Sequence, residues 1–172
     1  MSSELRVDKI VPIDGVPSDS GSNPMYRGAG GIVQVVYAQT RTQQQTTSNG
    51  YVDATSLFVD ITPKFSTSKM LITVHTVGQV SQHRARFDIH KSTTNSRLSA
   101  HPSDNNKDYG ITAFEGNNIN HSVNFTIMDI ANTTNTIRYK LQFNNTGSGT
   151  TYINASSNLG TLTVMELSLI HI

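Results

Sequence analysis

Asp88 and His90 stand two residues apart in Arg84-Ala-Arg-Phe-Asp-Ile-His90, where Ala85, Phe87 and Ile89 alternate with Arg84, Arg86 and Asp88. In an extended strand this spacing places carboxylate and imidazole on one face, as two metal ligands or as a base with its orienting carboxylate. That face is the polar one, opposite the apolar series, so the expectation is a solvated or intersubunit polar ladder. The other histidines, His75, His83, His101, His121 and His171, offer no pair at helical i,i+4 spacing, and a metal would need folding to gather three ligands. Gly147-Ser148-Gly149 lacks the Gly-x-Ser-x-Gly frame of a nucleophile elbow and reads as a hairpin turn between two strand-like runs. Gly28-Ala29-Gly30-Gly31 feeds a strand rather than a helix N-terminus, which argues against a phosphate cradle. The acids are scattered and Trp is absent, so the paired carboxylates and aromatic platforms of a glycoside hydrolase are not in view. The chain is therefore read as non-enzymatic, with no catalytic residue, no metal site and no cofactor. Weaker sugar binding through surface Tyr, Asn and Thr stays open.

Composition narrows the classes further. Thirteen Lys and Arg against twelve Asp and Glu leave a net charge of +1, and the basic residues are dispersed without aromatic interleaving, so nucleic-acid binding is not expected. No apolar run approaches the roughly 20 residues that span a bilayer, and Met1-Ser-Ser-Glu-Leu-Arg-Val lacks the basic-then-apolar order of a secretory signal. With no cysteine, the chain offers no thiolate nucleophile and suits assembly in a reducing cytosol. Surface polarity is carried by Thr, Ser, Asn and Gln, a bias toward strands and turns.

The elements follow from period-two alternation past residue 30. Ile137, Tyr139, Leu141 and Phe143 alternate with Arg138, Lys140 and Gln142. Leu57, Val59 and Ile61 form another series before Pro63; Met70, Ile72 and Val74 line one face of the next, and Val123, Phe125 and Ile127 repeat the pattern. Residues 32–37 and 161–169 are more continuously apolar, as in strands covered on both sides that pair centrally; Tyr152 and Ile153 mark a shorter one. Turn clusters such as Ser48-Asn49-Gly50 and Ser66-Thr67-Ser68 separate these runs. The spacing predicts an all-β, jelly-roll-like β-sandwich of about eight strands over residues 29–172, with residues 93–118 either a surface excursion, the favoured reading, or the place of one weak strand near residues 111–114.

Residues 1–28 differ. Pro12, Pro17 and Pro24 and the tract Ser18-Asp19-Ser20-Gly21-Ser22-Asn23 describe an extended arm, about 90 Å long if fully stretched at about 3.3 Å per residue. Leu5, Val7, Ile10, Val11 and Ile13 give it an apolar series without helical period, suited to lying on another surface.

Three segments resemble small fibre-like structural proteins of tailed bacteriophages, especially short-tailed marine phages. Ser3-Glu-Leu-Arg-Val-Asp-Lys-Ile-Val-Pro-Ile-Asp-Gly-Val-Pro17 is similar to their particle-binding arm. Gly31-Ile-Val-Gln-Val-Val-Tyr-Ala-Gln-Thr40, Tyr51-Val-Asp and Leu57-Phe-Val-Asp-Ile-Thr-Pro-Lys-Phe-Ser-Thr-Ser-Lys-Met-Leu-Ile72 are similar to the β domain that follows, as is the closing Gly160-Thr-Leu-Thr-Val-Met-Glu-Leu167. The resemblance implies a virion component assembled in the host cytoplasm, a homotrimer joined to tail or capsid proteins through its arm, without enzymatic activity. The chain is shorter than a receptor-binding fibre and has no heptad shaft. Tail fibre, capsid decoration protein and lectin-like module binding host glycans are the readings it leaves.

Overall fold

The alternating segments become strands in the computed structural model, which describes residues 31–99, 110–116 and 118–168. In chain order they are β1 (Gly31–Thr40), β2 (Gln44–Thr46), β3 (Val52–Ile61), β4 (Lys69–Val80), β5 (Arg84–Lys91), β6 (Ser96–Arg97), β7 (Thr112–Glu115), β8 (Asn120–Ile130), β9 (Ile137–Asn145), β10 (Thr151–Ile153) and β11 (Gly160–Ser168). All pairings are antiparallel. One sheet runs β1-β11-β4-β8, with β10 also against β4 and β2 outside it. The second runs β3-β9-β5, with β6 and β7 on the far side of β5. From β3 to β4 to β5, and again from β8 to β9 to β10, the chain crosses to the opposite sheet at each step. Strands adjacent in sequence thus face each other across the core, the connectivity of a jelly-roll-like sandwich. The arm proposed at residues 1–28 lies outside the described residues.

Parity decides what is inside. Leu57, Ile61, Met70, Ile72, Phe87, Ile89, Ile137, Tyr139, Leu141, Phe143, Leu162 and Val164 are fully buried. Phe87 stacks against Phe114 at 5.6 Å and Phe143 at 6.4 Å between ring centres, tying β5 to its neighbours on both sides. Each such side chain contributes about 1.5–3 kcal/mol on leaving water, the driving term for closing the sheets.

Three inward positions carry charge. Lys91 continues the Ala85, Phe87, Ile89 series of β5, and its ammonium meets Asp129 of β8 at 2.8 Å and the carbonyls of Ile130 at 2.7 Å and Ala131 at 3.3 Å. Tyr139 of β9 donates its hydroxyl to the same Asp129 carboxylate at 2.6 Å, so the cluster bridges the two sheets. Burial, reinforced by that acceptor, holds the Tyr139 hydroxyl protonated far above its usual range. On β11, Glu166 follows Leu162 and Val164 and is completely buried. Its carboxylate accepts from Ser68 Oγ at 2.7 Å, Lys64 N at 2.7 Å, Phe65 N at 3.4 Å and Gln34 Nε2 at 2.5 Å.

The structure corrects several expectations. Strand β1 pairs with β11 but, among the described residues, lies at the edge rather than the centre of its sheet, and Ile32, Val35 and Tyr37 are exposed. Its continuous apolarity therefore does not come from being covered on both faces of this subunit. The Gly147-Ser148-Gly149 turn is no hairpin: it carries the chain from β9 in one sheet to β10 in the other. Of the two readings of residues 93–118 the favoured excursion gives way to the strand: residues 112–115 form β7 against β5, in register for Phe114 to stack on Phe87. Two further short strands, β2 and β6, join the expected set.

Candidate functional sites on the two outer faces

A sandwich gives one face of each sheet to the core, so the outward residues of paired strands form rows. Those of the β3-β9-β5 sheet are charged. Arg138 grips Asp60 with two parallel bonds of 2.7 Å and 2.6 Å and lies 4.5 Å over the Phe58 ring. The guanidinium holds the Asp60 carboxyl below its ordinary range against a smaller upward push from burial. In the next rows Asp53 accepts from Lys140 at 2.6 Å and Gln142 at 2.7 Å. Burial pushes the Asp53 carboxyl up, but these bonds outweigh it and leave the pKa lowered. At one end Arg84 pairs with Glu115 at 2.5 Å.

Asp88 and His90 lie on this face as their spacing requires, yet Asp88 is not solvated. Leu98 bonds to the Ile89 carbonyl at 2.8 Å, which folds the segment after β6 over Asp88 and leaves it wholly buried. The carboxylate accepts from the Ser99 hydroxyl and from the amides of Ile89 and Ser99, but burial dominates and raises its pKa. The pair is therefore split: Asp88 holds a loop, while His90 lines a surface depression. That depression, of about 450 Å³, is walled by Asn49, Gly50, Tyr51, Asn95, Ser96, Arg97 and Gln142 as well as His90. Arg97 lies 4.2 Å over the Tyr51 ring, and the Nδ1 of His90 is buried without a hydrogen-bond partner among the described residues. The setting offers hydrogen-bond donors and acceptors around one aromatic ring. Among the described residues no three His, Asp or Glu side chains come together to hold a metal ion.

The outer face of the β1-β11-β4-β8 sheet is of another kind. Register aligns four rows across four strands: Ile32, Leu167, Lys69, Ile130; then Val35, Met165, Leu71, Met128; then Tyr37, Thr163, Thr73, Thr126; then Gln39, Thr161, His75, Asn124. The Thr73 and Thr126 hydroxyls are 3.1 Å apart, and His75 bonds to Asn124. Lys69 and His75 are the only basic groups in these rows, and there is no carboxylate. Sequence reading found the strands but not this surface, because a row is a product of register. The one signal it carried was the apolar run of residues 32–37, interrupted only at Gln34.

The arm residues Leu5, Val7, Ile10, Val11 and Ile13 lie outside the described residues. No protein-family model matches the chain, and no curated protein matches it. Among solved structures it is similar to a chain of the T13 viral particle of infectious bursal disease virus, at 13% identity and a TM-score of 0.40 over 80% of this chain. A second similar chain is the VP2 protein of that virus in its subviral particle, at 15% identity and a TM-score of 0.36 over 79% of this chain. This chain spans 35% of the first and 39% of the second.

Proposed function

We propose that the chain is a non-enzymatic structural component of a tailed-phage particle, a fibre-like appendage or decoration protein anchored by residues 1–28. One observation carries this reading. The segments that resemble phage fibre-like proteins are scattered along the sequence, yet they assemble into one block. Residues 31–40, 69–72 and 160–167 lie on the neighbouring strands β1, β4 and β11, and residues 57–61 lie on β3, packed across the core from them. A resemblance arising by chance in separate stretches has no reason to converge on one structural unit. In sequence the proposed arm is followed by β1, which begins at Gly31.

Anchoring then has a simple energetic form. Burying each apolar arm side chain contributes about 1.5–3 kcal/mol, against about 1–2 kcal/mol for ordering each backbone residue. A single arm is marginal. Arms held together by an oligomeric domain, three in a homotrimer, dock in concert, since every docking after the first is intramolecular. Deleting residues 2–17 should leave the far-UV circular dichroism and melting of the domain unchanged while abolishing co-sedimentation with particles. Retained co-sedimentation, or an unfolded truncated chain, would reject the arm as anchor.

The depression around Tyr51 favours a second reading, attachment to host-surface glycans. Its polar rim offers donors and acceptors for sugar hydroxyls around the one aromatic ring of Tyr51. Glycan-array binding by the full chain that disappears in Tyr51→Ala and Gln142→Ala would support it; silence of the unsubstituted chain would reject it.

A further inference from the structure

We infer that the outer face of the β1-β11-β4-β8 sheet is covered by a second copy of this chain. The inference deepens the oligomeric part of the reading above by giving it a surface. The two outer faces of the sandwich are built by one chain of nearly balanced charge, yet they divide that charge unequally. The β3-β9-β5 face carries Asp53, Asp60, Arg84, Arg86, Arg138, Lys140 and neighbouring Glu115, largely in pairs. The other face has only Lys69 and His75 in its four rows. A surface kept in water has no reason to shed its charge on one side. The cores of protein interfaces are depleted of Lys, Glu and Asp and enriched in Tyr, Met and other apolar groups.

Exposure points the same way. Ile32, Val35, Tyr37, Met128 and Ile130 are each about half exposed or more, between 48% and 67%. They flank Leu71, Met165 and Leu167 on the middle strands, so the apolar groups form a continuous patch rather than isolated residues. Its size suits a protein partner. The rows shared by all four strands run from Lys69 to His75, about 24 Å, and with strands about 4.8 Å apart they make a flat face of about 460 Å², more than half of the roughly 800 Å² each partner contributes to a standard interface.

A copy of the same chain fits because the face is compatible with itself. It carries no acid to oppose a base and no cluster of like charge to repel its twin. Lys69 sits in the end row, where its ammonium can reach the rim. The Thr and Asn rows supply groups that both donate and accept, so they pair with their own kind.

Light scattering on the full chain tests this. The unsubstituted protein should weigh two or three times 18.8 kDa, and Leu71→Glu/Met165→Glu should fall to 18.8 kDa with an unchanged far-UV spectrum. Arg138→Glu on the other face should leave the mass unaltered. A monomeric parent, or a folded double variant of parental mass, overturns the inference. Should the double variant fail to fold, Thr163→Cys decides, since the chain has no other cysteine: a short bismaleimide must yield a covalent dimer, and its absence overturns the inference. Failure here leaves the arm-deletion test standing, so the two readings fall separately.

Discussion

Asp129→Ala is expected to destabilise the domain by about 3–5 kcal/mol, a large share of the roughly 5–15 kcal/mol that holds a domain folded. The reason is what it leaves behind. The Lys91 side chain is 3% exposed, and without Asp129 its charge stays in the core with only two carbonyls for company. Tyr139 also loses the acceptor for its buried hydroxyl. Most of the loss is thus the penalty for a stranded cation, not the intrinsic value of the pair. It follows that Lys91→Met/Asp129→Leu should be less destabilised than Asp129→Ala alone, because no charge remains to be solvated. Urea unfolding of Asp129→Ala, of the single variants Lys91→Met and Asp129→Leu, and of the double variant measures this directly. Additive losses, with no coupling between the sites, would mean the cluster does not act as a unit.

The second large effect concerns Glu166, for which Glu166→Gln should cost about 2–3 kcal/mol at neutral pH. A buried carboxylate can accept from Ser68, Lys64, Phe65 and Gln34 at once, whereas an amide turns a donor toward one of these donors. Burial alone would push the Glu166 carboxyl up, but the hydrogen bonds outweigh it and its pKa is lowered from 4.5. A lowered folded-state pKa means that the unfolded chain takes up the proton first. The stabilisation is therefore fully present above pH 4.5 and is lost as pH falls through the depressed folded value. The gap in unfolding free energy between parent and Glu166→Gln should be widest near pH 7 and narrow in acid. A gap that is flat or grows on acidification would contradict the assignment.

This carboxylate also joins strands of the sheet to a turn. Gln34, which donates to Glu166, bonds to the Thr62 carbonyl at 2.8 Å as well, so one polar cluster clamps β1 to β11 and to the turn between β3 and β4.

Much of the fold was legible in the sequence because strand parity is a local property. Leu57, Val59 and Ile61, or Ile137, Tyr139, Leu141 and Phe143, declare an inner face through two-residue alternation alone, and those residues are the core. The structure sets Lys91 after Ile89, Asp129 after Ile127 and Glu166 after Val164 on the inner side, charges that the apolar alternation alone does not single out. Nothing local names their partners. Lys91 and Asp129 are brought together by strands of opposite sheets, and Glu166 collects donors from as far away as Gln34. Asp88 shows the limit most directly, since its own strand put it on the polar side and only the segment ending at Ser99 removed it from water. The neutral outer face is likewise a product of register, with Val35, Met165, Leu71 and Met128 contributed by four strands. Which way each side chain points is settled over two residues. What it meets depends on closing loops of tens to more than a hundred residues, and only the packing of the whole chain decides that.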